Sequence, residues 1–210
     1  PSARSCGLVP IPGLQALLVV HLELPCGAPR ACAGLFSGGD SAACVSQCFL
    51  SRQSWITDGS RQENSAEHSW HAALSALVLA PYAAFPVNVD RVIRMLLLHD
   101  IVEIDAGDTF LYDDQAAADQ AAREQAAADR ALWDEFEAGA TPDARFAKAV
   151  DRVNPVLLNL ATQGGGWQRH GIRLEQVLDR NRGIEGPLPA VWAVLRRRLE
   201  AAASAGWLLR

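Results

Sequence analysis

The sequence predicts an all-α protein, and three observations carry that expectation. Apolar residues recur at three- and four-residue spacing in several separate segments. No stretch shows a convincing two-residue alternation. Capping residues and helix-opening prolines stand where the periodic segments begin. At 210 residues one domain is the default, and such a chain can bury a real core.

Residues 1–50 stand apart. Pro10, Pro12, Pro25 and Pro29 interrupt them, and all five cysteines lie there. An odd cysteine count at irregular spacing is neither a disulfide framework nor a zinc pattern, so free thiols in a reducing compartment are expected. The chain starts at Pro1, so the recorded start is expected not to be a native initiation site. Gln15 to Leu24 is apolar but too short to span a bilayer, and its faint likeness to a signal peptide is discounted. The segment is expected to be loosely packed or partly disordered, with Ala42 to Arg52 as its one candidate helix.

Arg52 to Arg61 reads as a loop, with turn chemistry at Asp58-Gly59. A helix is expected from Ser65 to about Ala83, with Ser65 as N-cap and Glu67 in the first turn, where negative charge is favoured. Pro86 lies in the connection to a second helix, from Asp90 to about Ala106, that Asn88 or Asp90 can cap. Its buried face is Val92, Ile93, Leu96 and Leu97. Gln115 to Ala138 is alanine-rich and reads as a solvated outer helix. Thr141-Pro142-Asp143 is a cap followed by an N1 proline, opening a helix that Pro155 should kink or break. Gly164 to Gly166 reads as a flexible loop. Leu174 to Arg182 and a segment from Pro187 or Pro189 to near Gly206 close the chain as helices, with Arg196, Arg197 and Arg198 on a solvated face.

The chemistry gathers in RVIRMLLLHDIVEIDAGD, Arg91 to Asp108. Ionisable groups emerge from the end of an apolar helix: His99, Asp100, Glu103 one turn after His99, and Asp108 just past the helix end. Burying them unpaired costs several kcal/mol, roughly, so a compensating divalent cation is expected. The upstream helix adds His68, with His71 one turn on as a packing residue. The downstream helix adds Asp151, set among Phe146, Val150, Val153 and Leu157. Two imidazoles and two carboxylates suit one borderline divalent ion, Mn, Co, Zn, Ni or Fe. Glu103 is placed to orient or deprotonate a water, and Asp108 to share proton transfer or hold a sugar hydroxyl.

These residues, His68, then His99-Asp100, then Asp151, resemble the metal-binding signature of the HD-domain phosphohydrolases. The words ENSAEHS and HDIVEIDAGD resemble the subgroup that includes the bacterial 5'-deoxynucleotidases, and the likeness runs from about Ser51 to the C-terminus. The resemblance implies an HD-domain helical bundle over residues 51–210. It implies hydrolysis of a 5'-deoxynucleoside monophosphate to nucleoside and phosphate, with Glu103 and Asp108 as catalytic acids or bases. It assigns Arg52 to the substrate phosphate, where a forked guanidinium gives two parallel bonds. It also implies a cytoplasmic homodimer. No histidine lies between Asp100 and Asp151, which favours one metal over two.

A net charge of −5 with no basic stripe argues against a nucleic-acid polymer as partner, and no apolar run is long enough for a membrane. Two other readings remain: a phosphohydrolase for another small phosphate ester, or a degenerate HD domain that binds a nucleotide or protein without turnover. The atypical N-terminus and an apparent shortening before Leu132-Trp133 speak for the last.

Overall fold

The computed structural model describes residues 51–100 and 120–210. The expectations for residues 1–50, and for Glu103 and Asp108, lie outside the described residues. Within them the fold is helical, as the periodicity predicts, with one small β-hairpin added. Strand β1 is Ser51–Trp55 and strand β2 is Gln62–Asn64, paired antiparallel. Helix α1 is Ser65–Leu79, α2 Val89–Leu98, α3 Gln120–Ala138, α4 Pro142–Ala161, α5 Gly165–Arg169, α6 Leu174–Asn181 and α7 Pro189–Ser204. No helix among the described residues is long and apolar enough to cross a membrane.

The hairpin replaces the loop expected over Arg52 to Arg61. Its turn does use Asp58-Gly59: Gly59 has φ 70°, its N–H donates to the Ile56 carbonyl at 2.9 Å, and the Asp58 carboxylate accepts from the Ser60 amide at 2.8 Å. A three-residue strand is too short to display an alternation, which is why the pattern is invisible in the sequence. The helix expected over Ala42 to Arg52 meets a strand at Ser51 and Arg52.

The cap of α1 is Asn64, one residue before the expected Ser65. The Asn64 side chain accepts from the Glu67 amide at 2.9 Å, and the Glu67 carboxylate accepts from the Asn64 amide at 3.1 Å. This reciprocal pair satisfies two amides that the helix start leaves open. Pro81 ends α1 early, in a single 3-10 turn. Asn88 caps α2, as expected, accepting from the Arg91 amide at 3.1 Å. The buried stripe of α2 is Val92, Met95 and Leu96, with Ile93 at its edge. Leu97, expected inside, is 43% exposed, because one residue's rotation of about 100° carries it past the interface. The same i, i+3, i+4, i+7 series ends on His99, which is therefore carried into the core.

Helix α4 is the central rod. Thr141 caps it through the Ala144 amide, with Pro142 at N1 as expected. Its buried series includes Phe146, Val150, Val153 and Leu157, and it packs against α1, α2 and α3. Pro155 does not break it: the helix runs uninterrupted from Pro142 to Ala161. Proline removes the amide that would bond the Asp151 carbonyl, but packing against three neighbouring helices holds the helix together. Ser75 of α1 donates to buried Asn154 of α4 at 2.8 Å, a polar pin inside an apolar contact.

Gly164 to Gly166, expected as a flexible loop, instead leads into α5 and is locked. Gly164 has φ 91°, and the Gly166 amide donates to the Asn159 side chain at 3.0 Å. Arg169 of α5 lies 3.6 Å over the Trp55 ring, tying the hairpin to this end of the bundle. Helices α6 and α7 fall where expected; Arg196 and Arg197 of α7 are exposed and Arg198 is half-buried.

A Cβ on Gly164 would lie 2.6 Å from the Trp207 carbonyl oxygen, at a φ that side chains avoid. Gly164→Ala is therefore expected to destabilise the fold by more than about 1 kcal/mol. Urea denaturation checks this; a midpoint equal to that of the parent chain would show that α5 and the 207 turn are not locked together.

Candidate metal centre

Three helices deliver the site. His68 is the fourth residue of α1, one turn in from the Asn64 cap. His99 is the C-cap of α2, and Asp100 follows it in the turn. Asp151 sits midway along α4. His68, His99 and Asp100 are buried, and each offers a donor atom within 4.8 Å of the others. Asp151 closes the group: its Oδ1 is 2.8 Å from His68 Nε2 and 3.5 Å from His99 Nε2. His99 Nε2 is also 3.1 Å from Asp100 Oδ1. The four residues expected from the sequence thus converge, with the His68 and His99 ring centroids 5.6 Å apart.

The donors are oriented from behind. His99 Nδ1 lies 2.7 Å from the Leu96 carbonyl, an acceptor that fixes the proton on Nδ1 and leaves Nε2 as a lone pair. Phe136 of α3 packs against the other side of the ring, centroids 5.1 Å apart. His99 Nε2 is buried, close to two carboxylates, yet makes no hydrogen bond among the described residues. A buried nitrogen left this way has lost water without a partner, and a cation among these oxygens and nitrogens would supply it. The donor set, two imidazole nitrogens and two carboxylates, fits a borderline divalent ion.

Asp151 is the open side of the group, its side chain 26% exposed. Arg52 enters from β1 and its Nη1 donates to Asp100 Oδ2. The sequence reading expected Arg52 in a loop; the strand holds it at the centre instead. One participant was missed altogether. Glu63 of β2 is fully buried, with an oxygen 3.4 Å from His68 Nδ1. The signal was legible: with Asn64 as cap, Glu63 and His68 occupy the positions just before the cap and four residues into the helix, which habitually touch. Placing the cap at Ser65 hid this. His71, expected as a packing residue, is buried beyond His68, and His170 is exposed at the end of α5.

The charges are strongly coupled. Burial, the largest influence on His68, acts to lower its pKa; the hydrogen bond to Asp151 and the nearby Glu63 carboxylate overcome this, and the value rises to about 9. For Asp151, burial is the largest influence and acts to raise the pKa, but the imidazoles of His68 and His99 beside it together outweigh burial and hold it far below the usual carboxylate range.

Residues 48–192 match the family model described as HD domain. The fold is similar to the crystal structure of a predicted metal-dependent phosphohydrolase from Magnetospirillum magnetotacticum, at 43% sequence identity and a TM-score of 0.69, covering 81% of this chain and 97% of that one. No curated protein matches.

The coupling sets a pH window for the metal-free protein. The raised pKa of His68 contributes stability that is complete below its ordinary value of 6.5 and is lost as pH rises through about 9. The lowered pKa of Asp151 contributes stability present above its ordinary value of 3.8 and lost as pH falls below it. Melting temperatures in chelator, from about pH 3 to about pH 10, are expected to peak between these limits. In His68→Asn the alkaline fall should flatten; an identical alkaline slope would place the titrating group elsewhere.

Proposed function

The chain belongs to the HD-domain family, and on that premise we propose that it is a metal-dependent phosphohydrolase acting on a small nucleotide, a 5'-deoxynucleoside monophosphate released as nucleoside and phosphate. The observation that carries the reading is the convergence of His68, His99, Asp100 and Asp151 on one point. When bound there, a divalent ion supplies Lewis-acid polarisation of the phosphoryl oxygen and an acidified water.

The chain's own residues do the rest. His68 and His99 present ring nitrogens from buried, braced positions, so little ordering is needed when the site is used. The exposed edge of Asp151 leaves that side of the centre accessible to a substrate oxygen. Arg52 carries five N–H donors, and among the described residues only Nη1 is engaged, on Asp100. The remaining fork can hold a phosphate beside the centre, the role the resemblance assigns it. Glu103 and Asp108, outside the described residues, are proposed to handle the water proton and the leaving sugar hydroxyl, from their spacing after His99. The homodimer and cytoplasmic location implied by the resemblance belong to this proposal too.

A cavity of about 590 Å³ between α6 and α7 shares none of these residues. Its arginines, among them Arg182 and Arg196, alternate with Glu175, Asp179, Glu185 and Glu200, so it offers no concentrated positive field for a phosphate.

The test is phosphate release from a panel of deoxynucleotides, ribonucleotides and sugar phosphates with added Mn or Co. Deoxynucleoside monophosphates are expected to be cleaved, and chelation to abolish turnover. Metal retained without cleavage of any panel member would favour the binding-only reading. Asp100→Ala is expected to lose bound metal; undiminished stoichiometry would remove Asp100 from the ligand set. Arg52→Ala is expected to keep the metal while kcat/KM falls about 10- to 100-fold, the worth of a charged phosphate contact. An unchanged kcat/KM would take Arg52 out of the phosphate site.

A further inference from the structure

Glu63 is the fully buried carboxylate that the metal set leaves unexplained. Among the described residues neither of its oxygens makes a hydrogen bond, and its one close charged neighbour is His68, whose Nδ1 lies 3.4 Å from Oε2. A desolvated carboxylate so sparsely partnered is costly, so its retention at this place calls for a use. Its neighbours fix its direction. In β2 the burial alternates, and Glu63 is the one residue of three turned fully inward. Asn64 then caps α1, Glu67 completes the capping box, and Arg61 grips Glu67 at 2.8 and 2.5 Å. The junction between strand and helix is therefore rigid. The residue before the cap and the fourth helical residue normally touch through apolar side chains. Here those positions hold Glu63 and His68, and an acid takes the place of a hydrophobe.

The two histidines of the centre can be compared directly. His99 has its rear nitrogen on the Leu96 carbonyl at 2.7 Å. His68 has no backbone acceptor behind it; the group at its rear is the Glu63 carboxylate. Its front nitrogen, Nε2, faces Asp151. For Nε2 to serve as a ligand, the proton must sit on Nδ1, and an anion behind Nδ1 secures that tautomer and makes the ring a better donor.

Resting on the metal-centre reading above, we propose that Glu63 is the positioning residue of the centre: its buried carboxylate accepts the Nδ1 proton of His68 and holds that ring with its Nε2 lone pair toward the ion. Glu63 touches neither substrate nor metal in this role. It acts only through His68.

The experiment uses the full chain, with Co(II) and Mn(II) as probes, and compares the parent with Glu63→Gln and Glu63→Leu. Affinity is read by chelator competition, coordination by the Co(II) visible spectrum, and fold stability by melting of the metal-free protein. Glu63→Gln keeps an acceptor but loses the charge, and should weaken affinity about 10-fold with little change in metal-free melting. Glu63→Leu removes the acceptor and should weaken affinity toward about 100-fold and shift the Co(II) bands. Affinity falling in Glu63→Gln while metal-free melting stays near that of the parent is what a purely structural glutamate would not produce. Binding by the parent with unchanged affinity and spectra in both variants overturns the inference and leaves the metal centre standing. Parallel loss of stability and affinity in both variants overturns it too. Failure of the parent to bind either ion overturns the centre itself, and this inference with it.

Discussion

The contact between His68 and Asp151 is the constraint on which the rest depends. It joins the first turn of one helix to the middle of another, 83 residues apart in sequence, at 2.8 Å. A buried imidazole and a carboxylate attract strongly at that distance, yet both have lost hydration, so such a pair gives little net stability. Its cost is tolerated because the surrounding helices are closely packed. Ala72, Ala76 and Leu79 of α1 and Val150 and Val153 of α4 are almost completely buried, and Ser75 is pinned to Asn154 nearby. Apolar packing brings the two helices together, and the polar pair inherits the position.

Four buried polar atoms without a hydrogen bond among the described residues lie around this same contact. They are both Glu63 oxygens, His68 Nδ1 and His99 Nε2. A folded protein satisfies most such groups, so a concentration of exceptions at one point marks a place where structure has been subordinated to chemistry. Arg52 adds a cation to it through Asp100, from the hairpin rather than from a helix. The small sheet, a minor part of the fold, thus supplies two participants: Arg52 on β1 and Glu63 on β2 face the same centre from adjacent strands.

Some errors of sequence reading were errors of local detail with a common cause. Leu97 and Met95 are both apolar, and only the helical rotation set by neighbouring helices decides which is inside. Pro155 reads as a breaker because its missing amide is a local fact; the packing that keeps α4 whole is not. The two strands, one of them three residues long, cannot show a period. The shift of the cap from Ser65 to Asn64 is of a different kind. Both residues cap well, and the choice turns on which one can pair with a glutamate three residues on. Glu67 answers that for Asn64, so this much was written in the chain and was passed over.

The sequence by itself determined the helical class, most helix starts and the four candidate donors, because caps, periodicity and residue chemistry are local properties. It also held, unread, the continuation of two buried faces into histidines: Ala72, Ala76 and Leu79 with His68, and Val92, Met95 and Leu96 with His99. The tertiary structure alone decided that these faces meet at one point, that Asp151 is the open edge, and that Arg52 reaches Asp100. Distances between elements far apart in the chain follow from how three rods pack and cross, and no short window of residues encodes that.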